Sequence, residues 1–255
     1  MTVASRRGSW SYDRIAHLYD VDMARSMPFD DTAFYAAQVA GVAGPVLEVG
    51  CGNGRILLEL RSRGIDLVGI DRSHPMLAAL QERARKRGRP ASVARMDVRK
   101  LAFADATFGA VLCPYSLITY MNDEGDAARL VREAVRVLRR GGLLVLDAFV
   151  PRASVYSDEF RLDYRRPFET GTLARYKRVS QLQPGYNRIE RRYDVERDGR
   201  VVESIDTVDE IRVFSPGSLR ALAASAKLRA VHEAWDYGTR AAESAAQFFT
   251  LVVAL

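Results

Sequence analysis

The sequence predicts an α/β protein: an open, mostly parallel sheet with helices on both faces, followed by a smaller antiparallel sheet. Three observations predict it. Pro45 to Leu60, PVLEVGCGNGRILLEL, reads as strand, glycine turn and helix. From there to Phe149, short apolar runs alternate with amphipathic stretches, the pattern of a sheet with crossover helices. From Leu173 to Val213 the pattern becomes long strand-like runs with hairpin joints.

In the first stretch Val46, Leu47 and Val49 form a buried-strand run, and Ile56, Leu57 and Leu60 recur at helical spacing. Gly50, Gly52 and Gly54 lie between them. Glycine suits a sharp turn whose backbone approaches a ligand, because a Cβ would obstruct both. The helix that follows offers free N–H groups to an anionic group. A dinucleotide site wants G-x-G-x-x-G, and counting from Gly50 the last glycine is replaced by Arg55. The string LEVGCGNG, with Glu48 on the strand, instead resembles the first motif of the class I S-adenosylmethionine (SAM) methyltransferases. That resemblance implies that Glu48, Gly50, Cys51, Gly52, Asn53 and Gly54 surround the methionine part of the cofactor.

Length and composition set the bounds. The 255 residues suit one α/β domain with an insertion, and 48% hydrophobic content is enough for a sizeable core. No apolar run is long enough to span a bilayer, and the N-terminal MTVASRRGSWSYD has no apolar stretch after its basic pair, so no secretory signal is expected. Two cysteines, Cys51 and Cys113, cannot build a disulfide framework, and a cytoplasmic setting is expected. The three histidines are scattered, and no metal site is expected. The net charge of +6 raises nucleic acid as a partner. Its one dense run, Arg83 to Arg89, reads better as the cationic end of a helix closed by Gly88.

Taken in order, the N-terminal YDRIAHLYD predicts a short amphipathic helix with Ile15, Leu18 and Tyr19 on one face. The resembling family often opens with a similar segment that caps the cofactor, which implies contacts from Tyr12 and Tyr19. A second helix is expected over Met27 to Val42, within a helical cap of about residues 9–43. Ile65 to Ile70 is a second strand ending at Asp71, a carboxylate placed to accept from both hydroxyls of a ribose. Ser73 is a helix cap. Met76 and Leu77 are expected to face the adenine, with Arg72 stacked on the ring or solvated. Ser92 to Met96 is a third strand; the resemblance implies that Asp97 accepts from the adenine amino group and that the Val98 N–H meets the ring.

Ala110 to Cys113 is a fourth strand, and the loop Pro114 to Met121 leaves the carboxyl end of the sheet at its switch point. The resemblance implies that backbone at Cys113 and Pro114 meets the SAM amino group. Relatives often carry a histidine near the position of Tyr120; here Tyr120, Tyr115 and Tyr19 are the candidate catalytic groups, suited to orient an acceptor by hydrogen bonding. Asp126 to Arg140 is an amphipathic helix stopped by Gly141 and Gly142, and Leu143 to Phe149 is strand five. Three or so lid strands follow, joined at Pro184-Gly185 and Asp198-Gly199, with Tyr193, Val195, Val208, Ile211 and Val213 on the apolar side. Their partner is expected to be the pocket mouth. After a Ser215-capped helix, Arg229 to Tyr237 and Gln247 to Leu255 are strands. The resemblance places the last one antiparallel between strands five and six, which implies a Rossmann-like seven-stranded sheet.

The resulting expectation is a methyltransferase that moves the methyl of SAM, leaving S-adenosylhomocysteine, to N, O or C of a small-molecule acceptor, with natural-product biosynthesis as a setting. Residues 1–150 and 213–255 would bind SAM, and 151–212 would form the lid. A monomer or homodimer off the membrane is expected. Two alternatives stand: a nucleic-acid methyltransferase, for which Cys113-Pro114-Tyr115 is only a partial echo of the relevant motif, and a non-catalytic SAM-binding scaffold.

Overall fold

A computed structural model of the chain describes residues 10–24, 29–123, 125–152, 155–243 and 245–255. The N-terminal segment before Trp10 and the expected helix start at Met27 lie outside the described residues. Seven strands form one sheet: β1 (Val46–Val49), β2 (Leu67–Asp71), β3 (Ser92–Arg95), β4 (Phe108–Cys113), β5 (Leu138–Phe149), β10 (Arg229–Trp235) and β11 (Phe248–Ala254). Their order is β10-β11-β5-β4-β1-β2-β3, and β11 runs antiparallel between β5 and β10. The switch point lies between β1 and β4, which pair in parallel.

Alternation along the strands feeds two cores. Leu47, Val49, Val111, Leu144 and Leu146 face helices α6 (Asp126–Val137) and α7 (Pro216–Ser225). Val46, Ala110, Leu112 and Val145 face α3 (Asp31–Val39), α4 (Arg55–Ser62) and α5 (His74–Lys86). Three helices start on side-chain caps: Asp30 accepts from Ala33 N at 2.9 Å, Ser73 from Met76 N at 3.3 Å and Ser215 from Ser218 N at 3.1 Å.

Several boundaries differ from the sequence reading. The N-terminal helix is two short helices, α1 (Ser11–Ile15) and α2 (Tyr19–Met23). Within the described residues the next helix spans Asp31–Val39, stopped where Ala40 turns extended. Helix α6 ends at Val137 rather than Arg140, because buried Leu138 adopts extended backbone and pairs with Phe108.

The second sheet has four strands, β6 (Arg161–Phe168), β7 (Gly171–Gln183), β8 (Tyr186–Arg197) and β9 (Arg200–Arg212), in sequential antiparallel order. Its β8–β9 joint has both Asp198 (φ 50°) and Gly199 (φ 70°) left-handed, as a two-residue hairpin matched to strand twist requires. Two expectations are corrected here. Val208 points to solvent, and its neighbours Thr207 and Asp209 are buried instead, because Asp209 pairs with Arg191 of β8. The apolar part of the sheet does not rest on the pocket mouth alone. Leu173, Tyr193, Val195 and Ile205 pack on Ile15 and Leu18 of the N-terminal segment.

Candidate active site

Two adjoining cavities sit at the carboxyl end of the large sheet. The smaller, about 120 Å³, is lined by Gly50, Gly52, Asp71, Arg72, Met76, Met96, Asp97, Val98, Arg99, Pro114 and Trp10, among others. The larger, about 460 Å³, lies between that wall and the inner face of the four-stranded sheet. Tyr12, Tyr19, Tyr115 and Tyr120 line both.

The local sequence explains the smaller cavity. Gly50 (φ 71°) and Gly52 (φ 53°) both take the left-handed backbone that glycine tolerates best. A Cβ at Gly50 would lie 2.6 Å from Leu117, so the loop after β4 closes directly over the turn. Asp71 accepts from Gly52 N at 2.9 Å and from Ser73 N at 2.8 Å, which fixes its carboxylate beside the turn. Burial nevertheless raises its pKa against the lowering effect of those N–H donors.

Met76 lines the cavity, whereas Leu77 packs into the core beneath it, a correction that follows from their adjacent positions on one helix. Arg72 stacks over the Trp10 ring at 4.5 Å. Asp97 is clasped by Arg99, with Nε to Oδ1 at 2.9 Å and Nη2 to Oδ2 at 2.6 Å, and Arg99 holds its pKa down.

Not every expected cofactor residue reaches the cavity wall. Glu48, Cys51, Asn53, Gly54 and Cys113 lie outside its lining. Cys51 and Cys113 are buried and free, Cys51 packed against Gly69 of β2. Gly54 is where α5 comes close, since a Cβ there would meet Leu80 at 2.7 Å. The Asn53 side chain donates to Asp20 Oδ1 at 2.7 Å, and Arg83 reaches the same oxygen at 2.7 Å. Arg83, in the basic run, thus ties α5 to α2. Glu48 is buried with Oε2 unpartnered, and burial pushes its pKa to about 8 despite nearby Arg55. A buried carboxyl oxygen with no partner beside a glycine turn fits a missing cationic or hydrogen-bonding group. With the Gly52 backbone and the positioned Asp71 it makes this side compatible with SAM.

The tyrosines form the boundary between the two cavities. Tyr12 and Tyr120 share a hydrogen bond of 2.9 Å, and the Tyr12 ring meets those of Tyr19 at 5.9 Å and Tyr120 at 6.0 Å. Burial raises the pKa of Tyr12, Tyr19, Tyr115 and Tyr120. Each is a protonated hydroxyl at neutral pH, able to donate but not to serve as a base. Arg55, where a third glycine would stand in a dinucleotide motif, is held by both oxygens of Asp31, at 2.8 and 2.6 Å.

Sequence reasoning missed Trp10, and it missed Asp147 of β5. Asp147 is fully buried and gathers four donors: the hydroxyls of Tyr35 and Tyr237 and the backbone N–H groups of Tyr115 and Ser116. Tyr115 (φ 52°) and Ser116 (φ 57°) are consecutive left-handed residues, a strained turn that this carboxylate holds. No local signal marks Asp147, because its donors come from three distant segments. The lid groups of the larger cavity were also missed, although strand alternation would have placed them together.

Comparison with known proteins bears on the fold that carries this site. Residues 46–142 match the family model described as a methyltransferase domain. Phosphatidylethanolamine N-methyltransferase of Cereibacter sphaeroides is 40% identical over 113 residues, covering 44% of this chain and 53% of that protein. The chain spans about half the length of the first curated relatives it matches. Among solved structures, an S-adenosylmethionine-dependent methyltransferase from Clostridium acetobutylicum ATCC 824 superposes with a TM-score of 0.80 at 18% identity, covering 96% of this chain and 98% of that one. A sugar N-methyltransferase from Streptoalloteichus sp ATCC 53650 gives 0.75 at 22% identity, covering 99% and 96%. The chain has the Rossmann-like methyltransferase fold with an added antiparallel sheet, and the match to the methyltransferase-domain model runs from β1 into β5.

Proposed function

We propose that the protein is a SAM-dependent methyltransferase acting on a small-molecule acceptor. The observation that carries this is the pair of adjoining cavities with a shared tyrosine wall: one beside the glycine turn and Asp71, the other beneath the antiparallel sheet. In this reading residues 1–150 and 213–255 bind the cofactor, and 151–212 form the lid over the acceptor.

SAM, when bound, supplies a methyl group already activated on a sulfonium. The chain's own residues position and shield. Asp71 takes the ribose hydroxyls, Met76 and Val98 border the adenine with Asp97 beside it, and the Gly50–Gly52 backbone with Pro114 and Glu48 serves the methionine part. Tyr12 and Tyr19 cap the assembly. Tyr115 and Tyr120, kept protonated by burial, donate hydrogen bonds that orient the acceptor. Alignment of this kind supplies roughly 7–11 kcal/mol of a transfer barrier. The aromatic wall and the sheet above it exclude water. With the tyrosines protonated, an acceptor that attacks as a neutral amine fits better than one that must first lose a proton. The larger cavity lies beneath the lid, which favours a small molecule over nucleic acid. Two free buried cysteines fit a cytoplasmic protein.

Calorimetric titration with SAM and with NADH tests the reading. Micromolar SAM binding with none for NADH is expected, weakened by D71A. Absence of SAM binding overturns it. SAM binding without transfer to any amine, hydroxyl or carbon acceptor would favour the scaffold.

A further inference from the structure

The larger cavity is unbalanced in charge. Among the described residues, Arg152, Arg166, Arg175, Lys177, Arg191 and Arg212 line it against three carboxylates, those of Asp22, Asp163 and Asp209. The pairing does not cancel the excess. Arg175 uses both Asp22 and Asp163, and Lys177 reaches the same Asp163 oxygen at 3.5 Å, so two cations share one carboxylate. Arg166 is spent on the backbone carbonyls of Val21 and Asp22.

The register of the lid sharpens this. Lys177 on β7 stands directly opposite Arg191 on β8, and Arg191 opposite Thr207 on β9, so the three side chains form one row across the inner face. Like charges directly opposite one another destabilise a sheet. Asp209 relieves Arg191 at 2.6 Å, but burial and the nearby Arg175 and Arg191 still lower the Lys177 pKa. At the end of the row Thr207, 3% exposed, has a buried hydroxyl with no partner. Arg191, in the middle of the row, also acts electrostatically on the hydroxyls of Tyr12 and Tyr120, so the row borders the wall shared with the smaller cavity.

We infer that the row Lys177–Arg191–Thr207 seats an anionic group, a carboxylate or a phosphate, carried by the methyl acceptor. This rests on the methyltransferase reading above. An anion there satisfies the like-charge pair and the orphan hydroxyl together, with charge-assisted hydrogen bonds stronger than neutral ones. It anchors the acceptor by a group other than the methylated atom, and this selects among small molecules.

The test is calorimetric titration with sodium benzoate and, in a separate arm, inorganic phosphate, on the protein alone and saturated with S-adenosylhomocysteine. Wild type is expected to bind one of the two, and the arm that binds names the group. K177Q should weaken that binding by about tenfold and T207V by about fivefold, while R85Q on the far surface of α5 leaves it unchanged. Lys177 is chosen because R191Q would leave buried Asp209 unpaired and endanger folding; circular dichroism of K177Q and T207V checks that both are folded. No binding in either arm, or equal affinity in wild type and K177Q, overturns the proposal. Failure of S-adenosylhomocysteine to bind removes the methyltransferase reading, while the titrations on the protein alone still judge the row.

Discussion

The two cavities share a wall but are built in opposite ways. The smaller is made largely of strand ends and the turns that follow them, with glycines, Asp71 and the Asp97 loop each in place within a few residues of a strand. The larger draws on the N-terminal helices, the loop after β4 and one face of the lid, segments far apart in the chain. A site made of strand termini inherits its geometry from the sheet. One made between separate bodies depends on pairs such as Asp22 of α2 with Arg175 of β7.

The largest break in this comparison is expected at Gly50. G50V would force a β-branched residue into left-handed backbone and into Leu117, 2.6 Å from the added Cβ. A cost of about 2–4 kcal/mol is expected, read in urea denaturation, with SAM affinity lost while binding to the lid row is kept. Retained SAM affinity would show that the turn is not the cofactor's cradle.

Asp147 stands behind both cavities. D147N would place an amide, itself a donor, among four donors, at about 3 kcal/mol. Because it holds Tyr115 and Ser116, kcat is expected to fall more than SAM affinity does. A loss of stability with kcat intact would make Asp147 purely structural.

Glu48 sharpens the comparison through pH. Burial raises its pKa from 4.5 to about 8, so the folded protein keeps a proton that the unfolded chain releases. Stability from this group is full below pH 4.5 and is lost as pH rises to about 8. The Tm of wild type should therefore decline across that window more than the Tm of E48Q. Parallel curves would remove the assignment of Glu48 as a protonated, unpartnered group.

The smallest effect belongs to the shared wall. Y120F loses the 2.9 Å hydrogen bond to Tyr12 and should cost about 0.5–1.5 kcal/mol. SAM affinity should hardly change, and acceptor KM should rise. A large drop in SAM affinity instead would assign Tyr120 to the cofactor side.

Strand, turn and helix in PVLEVGCGNGRILLEL are dictated locally, by apolar periodicity and by glycines whose left-handed backbone few other residues accept. Ser73 and the Asp198-Gly199 hairpin are local in the same sense, each acting within a few residues, and were legible in the chain, as was Asp71 from its place at a strand end. Tertiary structure decided what distance decides. It turned Cys51, Cys113 and Leu77 into the core, spent Asn53 on Asp20, buried Thr207 and Asp209 in place of Val208, and brought four donors to Asp147. It also set Lys177 against Arg191. A side chain's face and partner depend on register and packing across tens to hundreds of residues, and only the folded chain settles which polar groups are paired and which are left for a ligand.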